Sequence, residues 1–355
     1  MKYKISELVS INSKAIKKDY DGLIKYIDTS SVNNGKFDNP RTYSTLHDAP
    51  SRARRMASVG DTVISTVRPN MKHIGFISEN NNYVYSTGFA VVSPNRKLVD
   101  PYYLYLYLSS AFVTKTLQSI GETSTSTYPS IKPNDIGNLS VDIPSMKEQT
   151  VVAKRIRLLD EKIKFNNRIN DNLATLKTSI FDKLFKNKMS SHLNGNLSNI
   201  TIITSGKRPK KKFDNKSSVA KYPIVGASKI MGYTDRYLYN ESILTTGRVG
   251  THGVIQRFRK PVWVSDNSFV FKTEHEDYLF EILNNWIKYS ALNRGSTQPL
   301  ITQTDLKNID IYVPTKEEFY HFESVVTPLT DQQFSLISEN DNLKKAKAAL
   351  LSKLF

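Results

Sequence analysis

Tyr128-Pro-Ser-Ile-Lys-Pro-Asn-Asp-Ile-Gly-Asn-Leu-Ser-Val-Asp-Ile-Pro144 returns 170 residues later as Gln298-Pro-Leu-Ile-Thr-Gln-Thr-Asp-Leu-Lys-Asn-Ile-Asp-Ile-Tyr-Val-Pro314. At this offset Pro129 meets Pro299, Ile131 meets Ile301, Asp135 meets Asp305 and Pro144 meets Pro314. The offset continues without a gap. Ile169-Asn-Asp-Asn-Leu173 matches Glu339-Asn-Asp-Asn-Leu343, and Lys183-Leu-Phe185 matches Lys353-Leu-Phe355. Upstream the offset becomes 180: Gly60-Asp-Thr-Val-Ile-Ser-Thr-Val-Arg68 aligns with Asn240-Glu-Ser-Ile-Leu-Thr-Thr-Gly-Arg248, and Thr87-Gly-Phe89 with Asn267-Ser-Phe269. A weaker match pairs Ile5-Ser-Glu-Leu-Val9 with Leu197-Ser-Asn-Ile-Thr201. Chance can give one such stretch but not an ordered series. The chain is two copies of one unit, each a globular part followed by a helical part.

The globular parts read as mixed α/β. Thr62-Val-Ile-Ser-Thr-Val67 and Ser242-Ile-Leu-Thr-Thr246 are β-branched runs bounded by polar turns, hence strands. Tyr83–Ser86 and Val262–Ser265 read likewise. Pro101–Ser110 and Tyr278–Ile287 read as amphipathic helices, the first with Asp100 as N-cap and proline at the first helical position.

In the first helical part, positions 159, 163, 166, 170, 173, 177, 180 and 184 step by four and three and read Leu, Ile, Asn, Asn, Leu, Lys, Ile, Leu. The equivalent positions 329 to 354 read Leu, Gln, Leu, Asn, Leu, Lys, Leu, Leu. This is a narrow heptad seam suited to one partner helix, and the simplest partner is the other copy. The seam is ~38 Å long at the helical rise. Charge supports the pairing: Glu148–Lys188 carries 10 Lys/Arg against 5 Asp/Glu, Lys316–Phe355 only 5 against 6. Asn170 and Asn340 fall at matched seam positions, where a polar residue fixes register; a solvated helix face is the other reading. The expected fold is therefore α+β: two similar α/β domains joined by two long helices in an antiparallel coiled coil. The expected divisions are 1–145, 146–188, 189–315 and 316–355.

With 50 Lys+Arg against 33 Asp+Glu, the 355-residue chain has a net charge of +17, which points to a polyanionic partner, nucleic acid before a membrane surface. Its 19 Tyr can supply planar contacts to bases. Its lack of cysteine removes disulfides, thiol catalysis and Cys-ligated zinc, and fits a reducing cytoplasm. No signal peptide is visible, and no stretch approaches the ~20 apolar residues of a membrane span.

The duplicated strand, the Pro129 and Pro299 segments running through Leu139–Pro144 and Ile309–Pro314, and the helices that follow resemble the specificity subunits of Type I restriction–modification enzymes. The resemblance covers essentially the whole chain and rests on order and duplication, since no single motif decides it. It implies that each globular part is a target recognition domain for one half of a bipartite double-stranded DNA site. It implies that the helices act as a spacer and as docking surface for methyltransferase (M) subunits, two of them, within a complex that also holds restriction (R) subunits. S-adenosylmethionine, ATP and magnesium would belong to those partners, with no cofactor in this chain. One departure is that the second copy has Glu317-Glu318-Phe319 where the first has Glu148-Gln149, so contacts there are expected to differ.

The residues themselves argue against catalysis. Asp100-Pro101-Tyr102-Tyr103 is superficially like a methyltransferase motif but lacks its second proline and starts a helix. Gly247-Arg-Val-Gly-Thr-His-Gly253 lacks the Gly-Lys-Ser/Thr ending of a phosphate loop. It reads as a turn or as a close approach to DNA backbone, with His252 inside it. No E-x-K tripeptide occurs, and the six histidines show no ligand spacing. A stand-alone DNA methyltransferase or nuclease with an undetected site is the rival reading; a scaffold without sequence preference is a third.

The candidate DNA contacts are Arg68 and Arg248 at matched positions after a strand, with Lys72 and His252 close by in sequence. Arginine binds guanine or phosphate equally well, and a structural ion pair is the alternative. The run Lys207-Arg-Pro-Lys-Lys-Lys212 offers Lys207, Arg208, Lys210, Lys211 and Lys212 to phosphates, or is merely solvated. Arg52, Arg54 and Arg55 are similar, or ride on a surface helix. No catalytic or metal-binding residue is expected.

Overall fold

The structure is a computed structural model that describes residues 2–124, 127–294 and 299–355. Gln298, which opens the second quoted repeat, lies outside them. The chain forms two compact units, Met1–Lys164 with Asn340–Phe355, and Phe165–Glu339.

In the first unit, an antiparallel sheet has the order Val9–Ile11, Phe89–Pro94, Thr62–Ser65, Ile74–Phe76. A second sheet orders Arg41–Tyr43, Ile24–Ile27, Val84–Ser86 and Ala53–Met56, with the middle pair parallel. Lys2–Lys4 pairs with Ser140–Asp142, the quoted repeat segment. The core under the first sheet gathers Ile64, Ala90 and Val92 with Tyr103, Leu106 and Tyr107 of the helix Pro101–Leu108. Asp100 caps that helix as expected, its Oδ1 accepting from the amides of Tyr102 and Tyr103 at 2.9 and 3.0 Å.

The second unit repeats the plan. Its antiparallel sheet orders Ile202–Ser205, Ser268–Lys272, Ile243–Gly247 and Gln256–Phe258. A three-stranded sheet again holds a parallel pair, Tyr222–Val225 with Trp263–Val264. Gly195–Asn196 pairs with Asp310–Ile311 as Lys2–Lys4 does with Ser140–Asp142. The helix expected from Tyr278 starts at Glu276 and passes after Glu281 into a wider π turn over Ile282–Trp286.

Two long helices, Met146–Ser191 and Lys316–Leu354, run through the units. Within the second unit they are antiparallel: Asn166 Nδ2 donates to Glu339, Gln333 Nε2 to the Asn170 carbonyl and Lys177 Nζ to Thr330, so one number rises as the other falls. The heptad seam is only part of their burial. Ala153 and Ile156 join the first core, and Phe181, Phe185, Met189, Phe319, Phe322 and Val326 the second. Each helix end is thus a piece of a globular core, and the units divide inside the helices, at 164/165 and 339/340, rather than at their ends. Of the two seam asparagines, Asn340 is buried, while Asn170 is half-buried with its Oδ1 unpartnered. Asn166, also in the seam, is fully buried, its Nδ2 donating to Glu339 at 2.7 Å.

Both helices begin with a capping box. Glu148 accepts from the Ser145 amide at 3.0 Å, and Glu318 from the Thr315 amide at 2.8 Å. One residue on, the copies part. Gln149 accepts from the Asp100 amide at 2.9 Å, whereas Phe319 lies flat on His275 with ring centroids 3.5 Å apart.

Candidate nucleic-acid interface

Strand direction gathers the basic residues. In the first unit Val9–Ile11 and Thr62–Ser65 flank Phe89–Pro94, both antiparallel to it, so they run the same way. The segment that follows the second of them, from Thr66, leaves by one end of the sheet. Lys14 turns to the opposite end, its Nζ donating to Ser58 Oγ at 2.7 Å beside Asp61, which precedes Thr62, whereas Arg68 and Lys72 lie where Thr66 leaves. Arg52 reaches the same end, since its carbonyl accepts from Thr87 just before the central strand. By the same logic the segments after Ile202–Ser205 and Ile243–Gly247 leave together in the second unit, bringing Lys207–Lys212 to the end that holds Arg248 and His252.

The first-unit loop Thr66–His73 is tightly pinned. Arg68 N donates to Pro129 O and Ile131 N to Thr66 O, each at 2.8 Å. Asn70 N donates to Gln118 Oε1 at 3.1 Å, and Asn34 N to Lys72 O at 2.9 Å. Arg68 and Lys72 are both left-handed, at φ +50° and +53°. The Arg68 guanidinium lies 3.9 Å over the Tyr128 ring.

The equivalent loop fixes the true correspondence between copies. Thr62, Val63, Ile64 and Ser65 face Val92, Val91, Ala90 and Phe89; Leu244, Thr245, Thr246 and Gly247 face Phe271, Val270, Phe269 and Ser268. Beyond the strands, Gly250 N donates to Pro299 O as Arg68 N does to Pro129 O, and Ile301 N to Arg248 O as Ile131 N does to Thr66 O. Arg248 therefore corresponds to Thr66, and Arg68 to Gly250. The expectation that the two arginines are matched is wrong by two residues. Both runs are β-branched, so side-chain type alone does not fix their register.

Other candidates divide. Arg54 and Arg55 lie on the edge strand Ala53–Met56, not on a helix; Arg54 is exposed, while Arg55 is half-buried with Nε unpartnered. Lys207 is fixed through its backbone, its amide donating to Val264 O at 2.9 Å and its carbonyl accepting from Trp263 Nε1 at 2.6 Å, which leaves the side chain outside. Arg208, Lys210 and Lys212 are exposed; Lys211 is exposed too and faces Asp235 at 3.8 Å. His252 Nδ1 sits 3.0 Å from the Gly247 carbonyl with Nε2 unpartnered. Gly247 admits no side chain, because a Cβ there would fall 1.9 Å from the Thr251 carbonyl oxygen. The glycine-rich segment is a tight turn. Among the described residues no group of three or more His, Cys, Asp or Glu could hold a metal ion, and no helix is long and apolar enough to cross a membrane. What the two sheet ends offer is positive charge, aromatic faces and fixed backbone, the materials of phosphate and base contact.

Residues 1–175 and 194–339 match the family model of the Type I restriction modification DNA specificity domain, and the chain belongs to that family. It is similar to the Type I restriction enzyme HindI specificity subunit of Haemophilus influenzae, at 32% identity over 46% of this chain and 35% of that one. The Type I restriction enzyme MjaIX specificity subunit of Methanocaldococcus jannaschii is 23% identical over 79% of this chain and 74% of its own length. The chain spans about a third of the length of the HindI subunit and of the EcoBI specificity subunit of Escherichia coli, 35% and 36%. Among solved structures, the Type-I restriction-modification system S subunit from M. genitalium has the same fold, with a TM-score of 0.65 at 15% identity over 100% of this chain and 96% of that one.

Proposed function

We propose that this chain is a non-catalytic DNA reader that works in the cytoplasm. Each unit binds one half of a bipartite duplex target, and the halves need not match, because duplication has replaced dimerisation. The long helices dock two methyltransferase subunits and, through the assembled complex, restriction subunits. S-adenosylmethionine, ATP and magnesium are the business of those partners. The observation that carries this reading is the collection of basic side chains at one sheet end in each of two copies of the same fold.

The test is binding and turnover by the purified chain. It should shift a duplex carrying its target in the presence of excess unrelated DNA. It should give no methylated or cleaved product with S-adenosylmethionine or magnesium. Product formed in proportion to purified chain would restore the stand-alone methyltransferase or nuclease. Equal competition by unrelated DNA would leave only a scaffold.

A further inference from the structure

We propose that Arg68, steadied by Tyr128, is the residue through which the first unit reads a guanine; this rests on the DNA-reading role above. Three observations converge on it.

The first is strain. Arg68 corresponds to Gly250, and both are left-handed, at φ +50° and +85°. A Cβ added at Gly250 would meet none of the described residues within 4 Å. Glycine is thus the unstrained choice at this position, and the Arg68 side chain that replaces it is exposed. Among the described residues, the non-glycine positions with positive φ are Asn12, Asn34, Arg68, Lys72 and Asn82. Asparagine tolerates that conformation; arginine and lysine do so poorly, and both lie in this one loop. Strain held in a well-pinned surface loop marks a functional position.

The second is orientation. The Arg68 guanidinium carbon lies 3.9 Å from the Tyr128 ring centroid, a cation–π contact that restrains the group on an exposed surface. Less freedom remains to be lost when its planar fork of donors meets a flat acceptor pair, which is what guanine O6 and N7 present in the major groove.

The third is company. Val67, Met71 and Tyr128 are exposed beside it, at 37%, 54% and 51%. Apolar side chains suit base edges and thymine methyl groups rather than phosphates. A phosphate contact asks only for charge, which Lys72 supplies without a fixed plane.

The test is selection from a library of random duplexes of roughly 30 base pairs by the full chain and by Arg68→Lys and Arg68→Gly. Arg68→Lys keeps the charge and loses the fork. Arg68→Gly installs the residue found at the equivalent position and should melt no lower than the native chain. The native chain should enrich a two-part motif with a guanine in one part. Both variants should lose preference for that guanine by about tenfold or more and keep the other part unchanged. An unchanged motif in Arg68→Gly overturns the proposal. So does a uniform loss of affinity with a shallower salt dependence, which marks a phosphate contact. A native chain that enriches no sequence overturns the DNA-reading role itself, and this assignment with it.

Discussion

Lys347 Nζ donates to both carboxylate oxygens of Asp160, at 2.6 and 2.7 Å. The 170-residue repeat carries this pair onto Lys177 and Thr330, where the ammonium group meets a hydroxyl at 3.0 Å. The second unit finds its carboxylate elsewhere: Thr330 donates to Asp277 of the globular part at 2.6 Å. One ancestral contact is thus an ion pair between two helices in the first unit. In the second it is a chain that reaches the sheet through Arg257, which donates to Asp277 at 2.7 Å.

Lys347→Met leaves Asp160 with the Tyr102 hydroxyl at 2.5 Å as its remaining partner. Both members of the pair are partly exposed, so the expected loss is about 1–2 kcal/mol. Asp160→Asn combined with Lys347→Met should cost less than the sum of the two single changes. Urea unfolding of the four proteins measures the coupling.

Asp277→Asn should cost more, about 2–3 kcal/mol, because it takes one of the two carboxylates, Asp277 and Glu276, that pair a buried Arg257. Burial pushes Asp277 up, but the Arg257 charge and the bonds from Thr330, Arg257 and Thr327 outweigh it and hold its pKa below the usual carboxylate value. Its stabilising contribution is therefore present above the unfolded carboxylate pKa and fades as pH falls through the lower folded value. Glu281 has the opposite sign. Burial raises its pKa, against the hydrogen bond from Thr178 and the charges of Lys177 and Arg257. Its contribution is present below the ordinary glutamate pKa and is lost as pH rises through the folded value. Glu281→Gln should thus compare more favourably with the native chain at pH ~8 than at pH ~4. Denaturation at both pH values decides it, and an equal difference at each would remove Glu281 from the account.

Arg248→Ala should affect only the half-site read by the second unit. Its backbone stays pinned by Ile301, at 3.1 Å, so the loop keeps its shape. A base contact predicts a loss of about 1–3 kcal/mol confined to that half. A phosphate contact predicts weaker binding to every sequence. Titration against duplexes altered in one half at a time separates the two.

Joint replacement of Lys207, Arg208, Lys210 and Lys212 by alanine should flatten the salt dependence of DNA binding. Each phosphate contact removed takes about 0.9 from the slope of log K against log salt. A slope unchanged from native would show that this run is merely solvated.

The duplication was plain from the sequence because its downstream half keeps one offset across turn, strand and helix. The N-terminal match also holds, since Ile5 N donates to Leu139 O just as Leu197 N donates to Ile309 O, each at 2.9 Å. The middle was misread. Ile64 and Leu244 look alike, but Ile64 pairs with Ala90 and Leu244 with Phe271, and only the hydrogen-bonded ladder shows the slip. Phe181, Phe185 and Met189 escaped the seam because they follow a second stripe of the same helix, facing a globular core rather than a helix.

The Phe355 ring packs against Tyr103 and Tyr107, at 5.4 and 5.6 Å between centroids, as a late-arriving part of a unit that begins near the start of the chain. During synthesis, residues 2–164 leave the ribosome before the whole of the second unit, and the buried side chains of their core, Ile5 to Ile156, all lie among them. That core can gather as it emerges, while Leu351 and Phe355 close over it only after some 175 intervening residues are added. A polypeptide released before Leu351 would therefore carry its first core already assembled, with Tyr103 and Tyr107 left without their last cover.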